Sequence, residues 1–295
     1  MYIGTHCEWE DPYGFLSTHC VLGTSIYIRF PLHSLCPSFL QVMSQCASAP
    51  ATLTPSSSNT VVPSIAIVMQ LLPAMSELCI PSFSNLAVTT RPDIAYVVGV
   101  LCRFVENPGE AHWNAAKRVL RYLKGTVDMS LAYSGSSSPD LFTAFSDADL
   151  GGNLDNSHST GGFAICIGGG AVQWGSRLHP HVLLSSTKSE YTTVSKVGCE
   201  VMWTRYLLGE FGYDISCPSL ILVDNASAIQ VAKHPEHQST MKHVHRAYHW
   251  IRDHVERGDI SVTHVPGSEN PADIFTKPLG RIKFAKFRGM LGLRD

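Results

Sequence analysis

The chain has 295 residues, 44% of them hydrophobic and 16% charged, with a formal net charge of −2. That length can bury a sizeable core and accommodate two domains. A net charge this close to zero excludes a general electrostatic pull toward nucleic acid and leaves only local basic patches for that purpose.

Residues 1–53 mix Cys, His, Ser and aromatic side chains without sustained periodicity, and Pro55-Ser56-Ser57-Ser58-Asn59-Thr60 reads as linker or disorder. The longest apolar passage, Val61 to Met75, contains two prolines and a glutamine and is too short to span a bilayer, so no membrane role is expected. Two helices are predicted between Thr89 and Thr126. The second runs from His112 to Lys124, with Trp113, Ala116, Leu120 and Leu123 on one face and Lys117, Arg118, Arg121 and Lys124 more exposed; Gly125 stops it. The Ser- and Gly-rich stretch from Ser134 to Pro139 marks a boundary.

Beyond that boundary the pattern changes to α/β. Strands are predicted at Leu141–Phe145, Gly162–Ile167 and Ala171–Ser176, with Gly168-Gly169-Gly170 as the hairpin turn. A long helix follows from Thr187, then a strand at Leu220–Val223, a short helix after Asn225, a helix over Met241–Arg257, a strand at Ile260–Val265 and a terminal helix carrying Asp273. The expected architecture is a mixed five-stranded sheet with helices on its faces.

Four acids stand at the ends or starts of these elements. Asp147 closes the alternating strand Phe142-Thr143-Ala144-Phe145-Ser146, and Asp224 follows the continuous apolar run Leu220-Ile221-Leu222-Val223. Glu190 falls in the first turn of the long helix. Asp273 lies just inside a helix that Asn270 could cap and Pro271 could begin. Each has an ordinary structural explanation. Asp224 and Asp273 suit a helix start, Glu190 could complete a capping box with Thr187, and Asp147 or Asp149 could form a turn. As an ordered set, Asp, Glu, Asp, Asp, they point instead to divalent metal held for phosphoryl transfer.

The chain from about Phe142 to Leu293 resembles the ribonuclease H domain at the end of copia-type retrotransposon polyproteins. The blocks that carry the resemblance include Phe145-Ser146-Asp147-Ala148-Asp149, Ser159-Thr160-Gly161-Gly162-Phe163, Leu184-Ser185-Ser186-Thr187-Lys188-Ser189-Glu190-Tyr191, Val223-Asp224-Asn225-Ala226 and Ala272-Asp273-Ile274-Phe275-Thr276-Lys277-Pro278-Leu279. Upstream, Arg91-Pro92-Asp93-Ile94-Ala95-Tyr96 and Arg121-Tyr122-Leu123-Lys124-Gly125-Thr126 resemble the last helices of the adjoining reverse transcriptase. Leu150 stands where the family commonly has tryptophan, and His245 where an aspartate is usual. Transposases and integrases share the sheet but generally place their glutamate last, so the order found here favours ribonuclease H.

The resemblance implies cleavage of the RNA strand of an RNA–DNA hybrid with two Mg2+ (or Mn2+) ions. Asp147 would bridge both, Glu190 and Asp224 would complete one shell, and Asp273 the other. It also implies a division into 1–85, unassigned and read as disorder or a frameshifted gene remnant; 86–135, reverse transcriptase helices; and 136–295, the ribonuclease H-like domain with a basic tail. Lys242, His243, Arg246, Arg252 and Lys277 are the candidates for holding hybrid phosphates, with the rest of the reverse transcriptase as a further partner. No Tyr-x-Asp-Asp motif occurs, so polymerisation by this chain is not expected. The competing reading is a catalytically silent binding remnant. The nine cysteines, scattered and without paired spacing, and the lack of a basic-then-apolar N-terminus predict an intracellular protein, cytoplasmic or in virus-like particles.

Overall fold

The computed structural model describes residues 18–22, 25–29, 80–134, 140–233 and 245–295. In the N-terminal stretch these are two strands, β1 (Thr18–Leu22) and β2 (Ser25–Arg29). The linker at 55–60 and most of the segment read as disorder or a remnant lie outside the described residues, as do Lys242 and His243. The chain divides into two compact units; the larger comprises Leu131–Arg294 with the short stretch Leu22–Ile26.

The other unit is helical in its described part: α1 (Ile80–Thr89), a 3-10 turn (Pro92–Ile94), α2 (Ala95–Cys102) and α3 (Glu110–Lys124). α1 begins inside the segment that the sequence left unassigned. Its serines and asparagine mask an apolar spacing, because Phe83, Leu86 and Ala87 all enter the core with Ile94, Val98 and Leu101. α3 adds Trp113, Ala116, Val119, Leu120 and Leu123 to that core, while Arg118, Arg121 and Lys124 stay exposed. A polar knot is buried beside it. Arg91 donates from Nε and Nη2 to the two oxygens of Asp93 (2.9 and 2.8 Å) and from both terminal nitrogens to Thr126, while Tyr122 adds its hydroxyl to Asp93 (2.5 Å). The Arg-Pro-Asp motif is thereby tied to the C-terminal end of α3.

The larger unit contains β3 (Ser130–Ser134, from Leu131 on), which pairs with the last strand, β9 (Leu293–Arg294). Its main sheet is built from β4 (Thr143–Ala148), β5 (Thr160–Ile167), β6 (Gly170–Leu178), β7 (Ser219–Val223) and β8 (Ile260–His264), in the order β6-β5-β4-β7-β8. β4, β7 and β8 are parallel to one another, and β5 is antiparallel to both of its neighbours. This is the ribonuclease H-like mixed sheet expected from the sequence. At the β5–β6 hairpin Gly168 and Gly169 have φ of 58° and 78°, the left-handed pair that a two-residue hairpin turn requires.

The long helix α4 (Ser186–Glu210) packs on β4, with α5 (Ala226–Lys233) and α6 (His245–Glu256) beside it. The shared core holds Tyr191, Val194, Val197 and Val201 from α4 together with Ile165, Ile221, Val223, Ile251 and Val262. Gly198 lets α6 approach, since a Cβ there would come within 2.5 Å of Ile251 Cδ1. Two details differ from the sequence reading. Ser185 caps α4, its hydroxyl accepting from Lys188 N (3.2 Å). Glu190 therefore sits beyond the first turn and is not the acid of a capping box. Asp273 is not carried by a terminal helix but by a 3-10 turn (Pro271–Phe275); the terminal helix is a separate element, α7 (Arg281–Met290). Lys277-Pro278 separates the two, proline disfavouring helix at the residue before it.

Candidate metal centre

The register of the sheet brings the first two acids together. Ser146 of β4 pairs with Val223 of the parallel β7, so Asp147 and Asp224 leave adjacent strand ends side by side. The third and fourth acids arrive from opposite faces. Gly161 and Gly162 are consecutive on β5 and point to opposite sides of the sheet. A Cβ on Gly161 would come 2.6 Å from Thr193 Oγ1 of α4, and one on Gly162 would come 2.6 Å from Phe275 Cβ of the 3-10 turn. The two missing side chains thus admit the Glu190 helix on one face and the Asp273 turn on the other. Asp147 lies directly opposite Gly162 in the antiparallel pair and so shares the face of the turn.

Asn270 fixes that turn. Its Oδ1 accepts from Ala272 N (3.2 Å), the cap expected from the sequence, while its Nδ2 donates to the Ser146 carbonyl (2.9 Å). The second bond ties the turn to the residue preceding Asp147. Ser176 of β6 adds a bond from Oγ to the Phe275 carbonyl (2.6 Å), and Thr276 donates its hydroxyl to Asp147 Oδ2. The sequence reading assigned no role to Thr276 and missed the second bond of Asn270. Thr276 lies in a quoted motif block and Asn270 just before it, but their partners are more than a hundred residues away and leave no local pattern.

One oxygen each of Asp147, Glu190 and Asp224 lies within 4.8 Å of the other two. Asp147 and Glu190 are only 1% and 5% exposed, and Asp224 is half-buried. Glu190 Oε2 is buried with no hydrogen-bond partner among the described residues. Burial foremost raises the Asp147 carboxyl to about 7, with the Asp273 and Asp224 charges adding to it against the Lys277 ammonium and the Thr276 hydroxyl. Burial, then the Asp147 and Asp224 charges, pushes Glu190 up to about 9. Asp224 is raised as well, by burial and then by Asp273. Such a group of oxygens, mutually repelling and incompletely partnered, fits a hard divalent cation, which would replace the missing partners and favour the charged forms.

Asp273, 1% exposed, stands in a different environment. Lys277 Nζ lies 2.5 Å from its Oδ1 and 3.5 Å from Asp147 Oδ2, and Lys283 of α7 pairs with its Oδ2. Burial alone would lower the Lys277 ammonium, but the Asp147 and Asp273 carboxylates more than reverse that. Asp149 belongs to the loop rather than to the cluster. Its side chain accepts from Thr160 N, and its carbonyl accepts from Ser189 Oγ (2.7 Å).

The phosphate candidates separate. Lys277 faces the acids. Arg252 is buried in α6 instead of presenting a charged surface, because helical spacing puts it with Ile251 and Val255 toward the packed side. Arg246 lies on α6, and nothing is described of its side chain. Exposed basic residues do occur on α7, where Lys286 pairs with Glu269.

No family model matches the chain. It is 38% identical over 208 residues to the Retrovirus-related Pol polyprotein from transposon TNT 1-94 of Nicotiana tabacum, covering 70% of this chain and 15% of that protein. It is 39% identical over 204 residues to the corresponding polyprotein from transposon RE2 of Arabidopsis thaliana, covering 69% and 14%. The chain belongs to the copia-type retrotransposon Pol family. It spans only about a seventh of the length of these Pol relatives. Among solved structures, LC11-RNase H1, isolated from compost, covers 46% of this chain and 93% of its own at 14% identity and a TM-score of 0.32. RNase H1 from Halobacterium salinarum NRC-1 gives 16% identity and a TM-score of 0.29 over the same shares. Overlaps this loose carry no argument; the fold of this Pol segment rests on its own strand order and directions.

Proposed function

We propose that this Pol segment is a metal-dependent nuclease that hydrolyses the RNA strand of RNA–DNA hybrids, the ribonuclease H part of a reverse transcriptase. The observation that carries the reading is the convergence of Asp147, Glu190 and Asp224, with an unpartnered buried oxygen on Glu190. Two buried acids and a half-buried one, gathered from two strand ends and a helix, destabilise the fold in their charged forms unless a cation joins them. Mg2+ or Mn2+, two ions in the working site, would supply a nucleophilic hydroxide and charge stabilisation for the leaving 3′ oxygen.

The protein's own residues set the frame for that chemistry. The Asp147 carboxylate is oriented by Thr276, and Asp224 by its place at the end of a central parallel strand. Glu190 is anchored on a helix whose neighbouring Tyr191 is fully buried. Asp273 is the fourth acid, held over Asp147 by the Asn270-capped turn. Asp147 and Glu190 must give up protons as cations enter, so occupancy favours higher pH.

The test is incubation of the full chain with a strand-labelled RNA–DNA hybrid in Mg2+, beside an Asp224→Asn variant. Cutting of the RNA strand alone, abolished by EDTA and by the substitution, is expected. Folded protein that binds hybrid in a salt-sensitive way and never cuts it would make this a binding remnant instead.

A further inference from the structure

Four carboxylates meet at the site, yet the ammonium groups that reach them are distributed unevenly. Both oxygens of Asp273 have an ammonium beside them: Lys277 lies 2.5 Å from Oδ1 as an ion pair without hydrogen-bond geometry, and Lys283 donates to Oδ2. Lys277 extends to Asp147 at 3.5 Å. Among the described residues, no ion pair reaches Glu190 or Asp224. Consistent with this, among the described residues the group of three carboxylates whose ligand atoms lie within 4.8 Å of one another is Asp147, Glu190 and Asp224, without Asp273.

Lys283 comes from outside the acid-bearing framework. It projects from α7, an element that begins after Pro278, and is held by its own helix. Phe287, one turn later, is fully buried, and Lys283 Nζ lies 5.1 Å from the centre of that ring. The lysine is thus delivered by a packed helix, with its side chain 40% exposed. Its neighbour Lys286 turns away, to Glu269 and the Ser268 carbonyl (2.8 Å).

We propose that Lys283 is a resident counter-cation of Asp273 which, with Lys277, closes the second metal position in the free protein. The three-acid site is left open to one divalent ion. This rests on the metal reading above and adds to it an asymmetry between the two positions. A positively charged ammonium and a divalent ion compete for the same carboxylate oxygens, so the second ion enters only where Lys277 and Lys283 leave Asp273. The phosphates of a bound hybrid provide an anion toward which they can move.

The test counts ions on the full chain without nucleic acid, by loss of the free Mn2+ electron paramagnetic resonance signal and by calorimetric titration. The wild-type protein is expected to bind about one Mn2+, the Lys277→Met/Lys283→Met double variant about two, and the helix control Lys286→Met about one again. Two ions on the free wild-type protein would overturn the proposal, and that measurement requires no variant to fold. One ion on wild type and on the Lys277→Met/Lys283→Met double variant alike would also overturn it. No ion on the wild-type protein would defeat the metal reading itself, a result distinct from both.

Discussion

The two units bury charge in opposite ways. In the helical unit Asp93 is enclosed by a guanidinium fork and a tyrosine hydroxyl, and every bond of that knot lies within the unit. In the α/β unit Asp147, Glu190 and Asp224 face one another, and Glu190 retains an oxygen without a partner. A buried acid with its cation supplied by the chain holds a fold together. A buried acid among other acids holds a place for something the chain does not contain. Asp273 lies between these cases, lined up with the acids but neutralised by lysines.

Substitutions can break this contrast, and the largest effect belongs to the closed knot. Asp93→Ala leaves the buried Arg91 without its carboxylate and should cost about 3–5 kcal/mol of stability in denaturant unfolding. A loss no larger than that of an exposed acid would erase the distinction. Asn270→Ala removes two buried bonds of the Asp273 turn and is expected to cost about 2–3 kcal/mol while weakening Mn2+ binding. Gly162→Ala drives a methyl group against Phe275 and Thr276, for about 1–3 kcal/mol. In this variant the turn shifts away from β5, which a crystal structure would record.

The smallest effect is the most specific. Asp147 at about 7 and Glu190 at about 9 lie above ordinary carboxylate values. The folded state therefore keeps protons that the unfolded chain releases above about pH 4. The stability they contribute is complete below that pH and declines as the pH rises toward 9. Metal-free melting temperatures should accordingly fall across this window, Glu190→Gln should flatten the fall, and Mg2+ should raise the melting temperature more at about pH 8.5 than at pH 6. A Mg2+ effect independent of pH would contradict the assignment of these protons to the site.

Much of the sheet was legible because its signals are local. The alternation ending at Asp147, the apolar run ending at Asp224 and the Gly168-Gly169 turn each declare themselves within a few residues. The existence of all five strands followed, with boundaries displaced by at most three residues, as at β4, which extends to Ala148. The ends of the acid-bearing elements were less legible. Ser185 and Thr187 are both chemically able to cap α4, and only the geometry selects Ser185. The Pro271–Phe275 turn reads like a helix start because Asn270 and Pro271 favour either form. Long-range partners were not legible at all. Nothing near Lys283 in sequence indicates Asp273, and nothing around Gly161-Gly162 states that a helix and a turn press on its two sides. Arg252 shows the reverse error, where basic composition suggested a surface and helical phase buried the residue.

If these acids hold metal for hydrolysis of RNA in a hybrid, the chemical ends of the products reveal it most directly. Metal-assisted attack by water with departure of the 3′ oxygen predicts RNA fragments bearing 5′-phosphate and 3′-hydroxyl groups, with the DNA strand intact. Fragments ending in 2′,3′-cyclic phosphate would mean that the RNA's own 2′-hydroxyl was the nucleophile and would contradict the account.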